Sequence, residues 1–411
     1  MRTLLCAAFS AAVALSALAA PATMNVQLPS AAPGATDPFA WLEDIHSPKA
    51  LAWVETQNAR TAAVLETDPR YALFHRDALA IFTAKDRIPY PRFLGSGVDN
   101  FWQDQDHVKG LWRRATFASY NSPTPAWETL IDFDALSRAE GKNWIFKGAT
   151  CLPPDDRLCL VRMSNGGGDA VEIREFDTRA RAFVSGGFHF AVGKQTIEWL
   201  DPDTLLIARD FGPGTLTASG YPFVVKELKR GQPLADAKEV FRGTAHDVSA
   251  DPVVLRGPDG AVEHVLYRRG VAFFSARFWL ALPDGGTRPL DLPEKIEVHG
   301  YLDHRMILTL NEAWPAGPSR LGPQLLPHDS ARLVWPGHPA FTAGDLIAFN
   351  PATGAAELIF HPSPTQTVNE AAVTQNRLLV ELLDNVNGAL DIWRHGPGGW
   401  RAQRLAFPKG L

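Results

Sequence analysis

The stretch LCLVRMSNGGGDAVEIREFD, residues 158–177, decides between two folds. An aliphatic run ends in Ser164 and three glycines, and the residues after them alternate, with charged Glu172 between Val171 and Ile173. A period of two is typical of a β-strand with one buried face, whereas a helix returns apolar residues every three to four positions. Glycine adopts the positive φ angles of tight turns. The stretch therefore predicts a β-hairpin that turns at residues 164–169.

Ser164 permits a second interpretation, because a serine that follows a strand can be the nucleophile of an α/β-hydrolase. That site requires the pattern G-x-S-x-G and a helix after the serine. Here Arg162 stands two residues before Ser164, and a strand pattern follows. Ser219 also lacks the first glycine, and neither G-x-S-x-G nor H-E-x-x-H occurs in the 411 residues. We therefore expect Ser164 and Ser219 to be turn or loop residues.

The histidines and glycines give no pattern for a bound metal or phosphate. His299 and His304 are five residues apart, which suits neither one face of a helix nor one face of a strand, so we expect both in surface or turn positions. The glycines at 166–168 open no helix and precede no Lys-Ser/Thr, which disfavours a phosphate loop. No catalytic, cofactor-binding or metal-ligating residue is assigned, and no cofactor is expected.

The first 20 residues, MRTLLCAAFSAAVALSALAA, combine Arg2 with an apolar run and small residues before Pro21. This pattern is typical of a cleaved signal peptide, with a membrane anchor or a lipidated Cys6 as alternatives. No later run is long enough to cross a bilayer, so we expect an exported protein, periplasmic in a Gram-negative source, without membrane contact after cleavage. The net charge of -5 and the lack of a long basic run argue against a nucleic-acid partner.

Export changes how the other cysteines are interpreted. With Cys6 removed, Cys151 and Cys159 form an even pair around the short loop CLPPDDRLC. An oxidising compartment favours a disulfide between them, and two free buried thiols remain the alternative. No histidine lies beside them at ligand spacing, which argues against a metal site.

The character of the chain changes near residue 86. Residues 21–36 are expected to form a flexible leader and residues 37–85 a helical arm. The arm should contain two amphipathic helices, at 48 to about 66 and 69 to about 83, the first capped by Ser47 before Pro48. From residue 86 to 411, short apolar runs are separated by Gly, Pro, Asn and Asp, which is typical of an all-β region.

A polar turn followed by an aliphatic run recurs in the β region. The runs begin at Leu158, Leu205, Met306 and Leu378, which subtraction places 47, 101 and 72 residues apart. One and two periods near 50 residues fit four-stranded β-propeller blades, and a Pro- and Gly-rich insertion at 313–341 accounts for the last gap. We expect six to seven blades, with aromatic packing between them by the tryptophans in strand-like runs: Trp102, Trp112, Trp127, Trp144, Trp199 and Trp393.

The order of motifs resembles one known family. DPFAWLED at 37–44 and WVETQN at 53–58 resemble the opening of prolyl oligopeptidase serine peptidases, and the match continues through NFWQDQDHVKGLWRR at 100–114, DFGPGTLTASGYP at 210–222 and VKELKRGQPL at 225–234. The whole looks like the bacterial exported branch of that family. The resemblance covers nearly all of residues 36–411, and its motifs are specific when taken together.

The resemblance implies a mainly β fold: a seven-bladed propeller, here with an incomplete last blade, after a short helical arm. In the family the arm and a C-terminal stretch form one α/β-hydrolase domain, and the catalytic serine lies in Gly-Gly-Ser-Asn-Gly-Gly beyond the propeller. No catalytic residue transfers to this chain, because Ser164 lies before that point and in a hairpin. The implied role is to admit short proline-containing peptides to a catalytic domain absent from these residues, so that the chain alone should be inactive.

Two other hypotheses remain open. The chain could be a standalone propeller that binds peptides or proteins without catalysis. A propeller enzyme of the lactonase type would need carboxylates and histidines around a central metal, which the sequence neither indicates nor excludes.

Overall fold

The computed structural model describes residues 37–86, 88, 90–315 and 339–406. The predicted signal peptide and flexible leader lie outside the described residues, as does most of the insertion at 313–341. The chain divides into two compact units between Ile81 and Phe82. Among the residues described, no helix combines the length and the hydropathy that a membrane span requires.

The first unit is helical, and the two predicted helices are confirmed. A 3-10 helix at Ala40–Glu43 precedes α1 at Pro48–Leu65 and α2 at Tyr71–Phe82. Ser47 Oγ accepts a hydrogen bond from the Ala50 nitrogen at 3.1 Å, so the predicted N-cap forms as well. Within residues 37–81, Ala50 is the one buried residue. The apolar stripes of both helices are therefore exposed in this unit.

The second unit consists of antiparallel sheets whose strands follow one another along the chain, so the predicted propeller is confirmed. Six blades lie within the described residues, and the family's count of seven stays a prediction. No described sheet combines strands from the first and last blades, so the ring is not closed by a shared strand.

The first three blades span residues 92–242. Blade one contains β1 Arg92–Leu94, β2 Gly97–Trp102, β3 Leu111–Thr116 and β4 Glu128–Asp132. Short helices α3 Phe117–Tyr120 and α4 Phe133–Glu140 precede and follow β4. Blade two contains β5 Trp144–Cys151, β6 Leu158–Asn165, β7 Val171–Asp177 and β8 Ala182–Phe183, with β9 His189–Gly193 also paired to β7. Blade three contains β10 Thr196–Asp201, β11 Thr204–Ala208, β12 Val224–Lys229 and β13 Lys238–Arg242, with a 3-10 helix at Leu234–Asp236.

The last three described blades span residues 249–405, and each has four strands. Blade four contains β14 Ser249–Arg256, β15 Val262–Ala272, β16 Ser275–Ala281 and β17 Thr287–Pro289. Blade five contains β18 Ile296–Leu302, β19 Arg305–Leu310, β20 Leu346–Phe349 and β21 Ala356–Phe360. Blade six contains β22 Gln366–Val373, β23 Leu378–Asp384, β24 Asn387–Gly396 and β25 Gly399–Leu405.

The repeated aliphatic runs are the second strands of their blades. Leu158, Leu205 and Leu378 lie in β6, β11 and β23, while Met306 lies in β19. The hairpin predicted at residues 164–169 is also confirmed, because β6 pairs antiparallel with β7 and the turn places Gly166 and Gly167 at φ 88 and 94. Glycine meets these angles without the steric cost that a side chain would add.

Aromatic side chains fill the space between blades. Trp112 of blade one contacts the rings of Phe146 and Phe176 of blade two. Trp144 and Trp199 are also fully buried, as the packing prediction requires. The other three tryptophans named from the sequence are partly exposed: Trp102, Trp127 and Trp393.

Different loops lie at the two ends of the propeller. We call the end at which each first strand begins and each fourth strand ends the near end; the loops between second and third strands also lie there. At the far end lie the turns between first and second strands and between third and fourth strands. We call the space surrounded by the six first strands the axial pore: β1, β5, β10, β14, β18 and β22.

Candidate functional site

Three charged residues from three successive blades come together beside the axial pore. Glu198 lies on β10, Arg162 on β6 and Arg256 at the end of β14. Each arginine is close enough to Glu198 for the two charges to shift each other's pKa. We call these three residues the pore cluster. Because the cluster combines ionisable groups from three blades, we take it as the candidate functional site.

Arg162 lies on β6, the second strand of blade two, and an irregularity in the neighbouring first strand, β5, makes room for its side chain. β5 has an irregular register between Phe146 and Ala149, and Gly148 lies in that interval. A Cβ on Gly148 would stand 2.9 Å from Arg162 Nη2, so a side chain there would displace the guanidinium. Arg162 Nη1 donates to Thr150 Oγ1 at 2.6 Å. The bulge and the glycine thus position the arginine.

Arg256 is fixed by backbone carbonyls and joins two blades. Its Nη2 donates to the carbonyl oxygen of Trp199 at 2.6 Å, and its Nη1 donates to that of Gly260 at 2.8 Å. β10 carries an irregular register between Trp199 and Asp201, which exposes that carbonyl to the arginine. Burial lowers the pKa of Arg256, and Glu198 opposes the shift.

Burial dominates the electrostatics of the cluster. It raises the pKa of Glu198 to about 7, although Arg162 and Arg256 both lower it. Burial likewise lowers the pKa of Arg162, and the charge of Arg92 adds to that effect. Glu198 should therefore change its charge near neutral pH, whereas an unperturbed carboxyl group titrates well below it.

Glu198→Gln should stabilise the propeller at pH 8 by about 1–3 kcal/mol and leave its stability unchanged at pH 4. Between the ordinary glutamate pKa of 4.5 and about 7, the folded state keeps a proton that the unfolded state has lost. Wild-type stability therefore falls as pH rises through this range, while the amide does not titrate. Denaturant unfolding of both proteins across this pH range measures the difference.

Glu239→Gln is the matched control with the opposite sign. A hydrogen bond from Arg242 lowers the pKa of Glu239, so its ionised form stabilises the folded state. The site is exposed, so its replacement should cost less than about 1 kcal/mol, and only above the unfolded pKa. A Glu198→Gln effect that does not vary with pH would contradict the assignment.

The candidate serines are structural. Ser164 is buried, is the last but one residue of β6 and donates its Oγ proton to the Gly168 carbonyl at 3.0 Å, so it fastens the hairpin turn. Ser219 lies in the loop between β11 and β12, as expected, with its Oγ 3.1 Å from Thr217 Oγ1. Within the part of the chain that the structure describes, neither serine contacts a histidine that could act as a base.

The prediction for His299 is wrong, and that for His304 is confirmed. His304 is exposed and lies in the turn between β18 and β19. His299 lies within β18, partly buried, with Nε2 2.7 Å from Thr309 Oγ1. The register shift between Val298 and Gly300 places it there, and the spacing argument assumed a regular strand. Among the described residues, no group of three His, Cys, Asp or Glu side chains is placed to hold a metal.

Cys151 and Cys159 are joined by a disulfide in the structure. They are directly opposite each other in the register of β5 and β6, with Cα atoms 3.9 Å apart. The hairpin between them lies at the far end of the propeller.

Apolar side chains protrude from loops at the near end. Phe273 and Phe274 form the turn between β15 and β16, with exposed fractions of 82% and 81%. Val386, in the turn between β23 and β24, is 91% exposed, and Val108 is also exposed in the loop between β2 and β3. Projecting apolar groups of this kind are typical of a surface that another domain covers.

Comparison with known proteins identifies one family with the same fold. Residues 21–249 match the family model described as prolyl oligopeptidase, N-terminal beta-propeller domain. The uncharacterized peptidase y4nA of Sinorhizobium fredii is 40% identical over 386 residues, covering 91% of this chain and 51% of that protein. The uncharacterized peptidase RP174 of Rickettsia prowazekii is 30% identical over 358 residues, covering 84% and 48%.

A solved structure agrees with the fold. The post-proline cleaving enzyme from Rickettsia typhi superimposes with a TM-score of 0.76 at 22% identity, covering 90% of this chain and 53% of that one. The chain spans about half the length of the curated relatives that it matches, at 51% and 48%. Because the family model matches more than half of its residues, the chain belongs to the prolyl oligopeptidase family, as its N-terminal β-propeller domain.

Proposed function

We propose that this chain is the arm and propeller of an exported serine endopeptidase that cleaves short proline-containing peptides. The propeller restricts access to an α/β-hydrolase domain whose catalytic residues are not among residues 1–411. The disulfide between Cys151 and Cys159 supports an oxidising compartment such as the periplasm. In this role the propeller acts sterically, because a narrow route admits extended peptides and excludes folded proteins.

One observation supports the proposal: the two termini of the propeller and several exposed apolar side chains lie at the same end, the near end. Four antiparallel strands per blade bring the start of β1 and the end of β25 to the same end of the propeller. The exposed side chains of Phe273, Phe274 and Val386 project from that end. A hydrolase domain attached through both flanking segments would cover these apolar tips and face the axial pore.

The helical unit supports the same arrangement from a different part of the chain. Leu51, Leu65 and Phe74 have large exposed fractions, although they lie on the apolar stripes that the sequence predicts. Burying an aliphatic or aromatic side chain contributes about 1.5–3 kcal/mol. The helices therefore gain stability if they pack against the rest of a hydrolase domain.

A chimera tests the gating role. In it, this chain replaces the matching part of the Rickettsia typhi post-proline cleaving enzyme. Two substrates are compared: a short proline-containing peptide, and the same sequence in a surface loop of a folded protein. We expect cleavage of the peptide and none of the folded protein, because the propeller excludes the latter. Equal cleavage of both would contradict gating, and a folded, inactive chimera that binds peptides would favour the standalone binding propeller.

Single substitutions in the chimera locate the docking surface. Phe274→Asp should lower peptide cleavage, because it places a charge where the apolar tip would meet the hydrolase domain. Phe117→Asp is the matched control, since Phe117 is also exposed but belongs to a loop at the far end. Equal effects of the two substitutions would argue against docking at the near end.

A further inference from the structure

The hairpins at the far end converge on the axis of the propeller. The disulfide hairpin is residues 151–159, between β5 and β6, and the blade-four hairpin is residues 257–261, between β14 and β15. Gly260 lies against the disulfide hairpin: a Cβ on it would stand 3.1 Å from the Pro154 nitrogen and 3.3 Å from the Pro153 carbonyl carbon. Blades two and four are thus in contact although blade three separates them.

The blade-four hairpin is also contacted by blade six, which lies two blades away in the other direction along the chain. Gln375, in the turn between β22 and β23 of blade six, donates its Nε2 proton to the Pro258 carbonyl at 3.4 Å. Pro202, in the corresponding turn of blade three, is exposed. The contact between the hairpins of blades two and four therefore does not cover the blade-three turn. A hairpin that touches blades two and six lies over the axis.

The disulfide hairpin is closed by bonds between its own two strands and is also hydrogen-bonded to blade one. Cys151 and Cys159 join its two strands, and the Leu152 nitrogen donates to the Leu158 carbonyl at 2.8 Å. Asp156 Oδ2 accepts from the Gly95 nitrogen of blade one at 2.8 Å. The hairpin therefore bridges blades one, two and four, and its covalent closure restricts its movement away from the axis.

We propose that the disulfide hairpin and the blade-four hairpin together form a plug that closes the far end of the axial pore. A peptide then reaches the pore cluster from the near end only, on the side where the hydrolase domain would dock. This consequence for peptides rests on the proposed function, whereas the plug itself concerns only the described hairpins. The bond between Cys151 and Cys159 keeps the plug in place.

Cysteine labelling in the 411-residue chain tests the plug. Ala372 is exposed on β22, one residue before its far end, and Thr367 is exposed near the start of the same strand. Each is replaced by cysteine in a Cys6→Ser background and treated with a maleimide that carries a bulky polyethylene glycol chain. We expect Ala372→Cys to react about tenfold more slowly than Thr367→Cys, because Ala372 is three residues from Gln375, which contacts the blade-four hairpin of the plug, whereas Thr367 lies toward the open near end.

Two variants should open the plug. Replacing Cys151 and Cys159 together by serine should speed labelling at residue 372 about tenfold and leave residue 367 unchanged. Gly260→Ala should act in the same direction, because its Cβ would press on Pro154. Gly285→Ala is the matched control: Gly285 has φ +85 against +83 for Gly260, lies in the same blade and has no atom within 4 Å of an added Cβ.

The outcomes separate the plug from the peptidase proposal. Equal labelling at residues 372 and 367 in the wild-type background would overturn the plug, as would acceleration in neither hairpin variant or in Gly285→Ala as much as in Gly260→Ala. Cooperative melting of each variant shows that it is folded. Since the assay uses no substrate and no hydrolase domain, its failure leaves the chimera result untouched, and the reverse also holds.

Discussion

Replacing Trp112 by alanine is expected to lower the free energy of unfolding of the propeller by about 3–5 kcal/mol. The side chain has no exposed surface, and its ring lies 5.8 Å from that of Phe146 and 5.7 Å from that of Phe176. Its Nε1 also donates to Asp99 Oδ2 at 2.6 Å. Alanine would leave a cavity between blades one and two and remove one donor from a buried carboxylate. Denaturant unfolding measures the loss.

Two further substitutions separate these causes. Trp112→Phe keeps much of the ring but removes the donor to Asp99, so it should cost about 1–3 kcal/mol. Trp127→Ala is the control, because Trp127 is partly exposed and contacts Arg113 and Tyr120 within its own blade. It should cost about 1 kcal/mol or less. Equal losses for Trp112→Ala and Trp127→Ala would contradict the importance of packing between blades.

The propeller could be predicted from the sequence because the second strands of four blades contain aliphatic runs, and two of these strands, β11 and β19, are buried on both faces. Leu205 to Ala208 are all buried, so β11 is an uninterrupted aliphatic run, and the same holds for most of β19. First strands carry no such pattern. β10 alternates buried Ile197 and Trp199 with partly buried polar neighbours, and several first strands contain register shifts. The repeat was therefore visible in one strand of each of four blades.

The repeat is missing from two of the six described blades, and polar residues in their second strands explain its absence. The second strands of blades one and four contain polar residues in place of an aliphatic run: β2 contains the buried Asp99 and Asn100, and β15 contains Arg268 and Arg269. Both arginines are paired, with Asp251 and Asp247 respectively. The ion pairs stabilise the blade without an aliphatic run, so blade four falls within the gap of 101 residues.

The pore cluster could not be predicted from the sequence. Arg162, Glu198 and Arg256 are spread over three blades and form no local motif, and their proximity depends on how these blades pack against one another. Gly148 gave the one local signal, since a glycine within a strand often marks a bulge or a close approach. The disulfide pairing was favoured from compartment and spacing, but contact between its hairpin and Gly260 required the fold.

The most direct test of the account is whether the 411-residue chain breaks peptide bonds by itself. The purified chain is incubated with a fluorophosphonate serine probe and with a chromogenic peptide that has proline at the cleavage position, beside the Rickettsia typhi post-proline cleaving enzyme as the positive control. Acyl transfer needs a serine that is activated by a base. The hydroxyl of Ser164 is hydrogen-bonded to a backbone carbonyl, and that of Ser219 to the hydroxyl of Thr217. We therefore predict neither labelling by the probe nor hydrolysis of the peptide. Stoichiometric labelling, with hydrolysis that is abolished when one of the chain's own serines is replaced by alanine, would contradict the account.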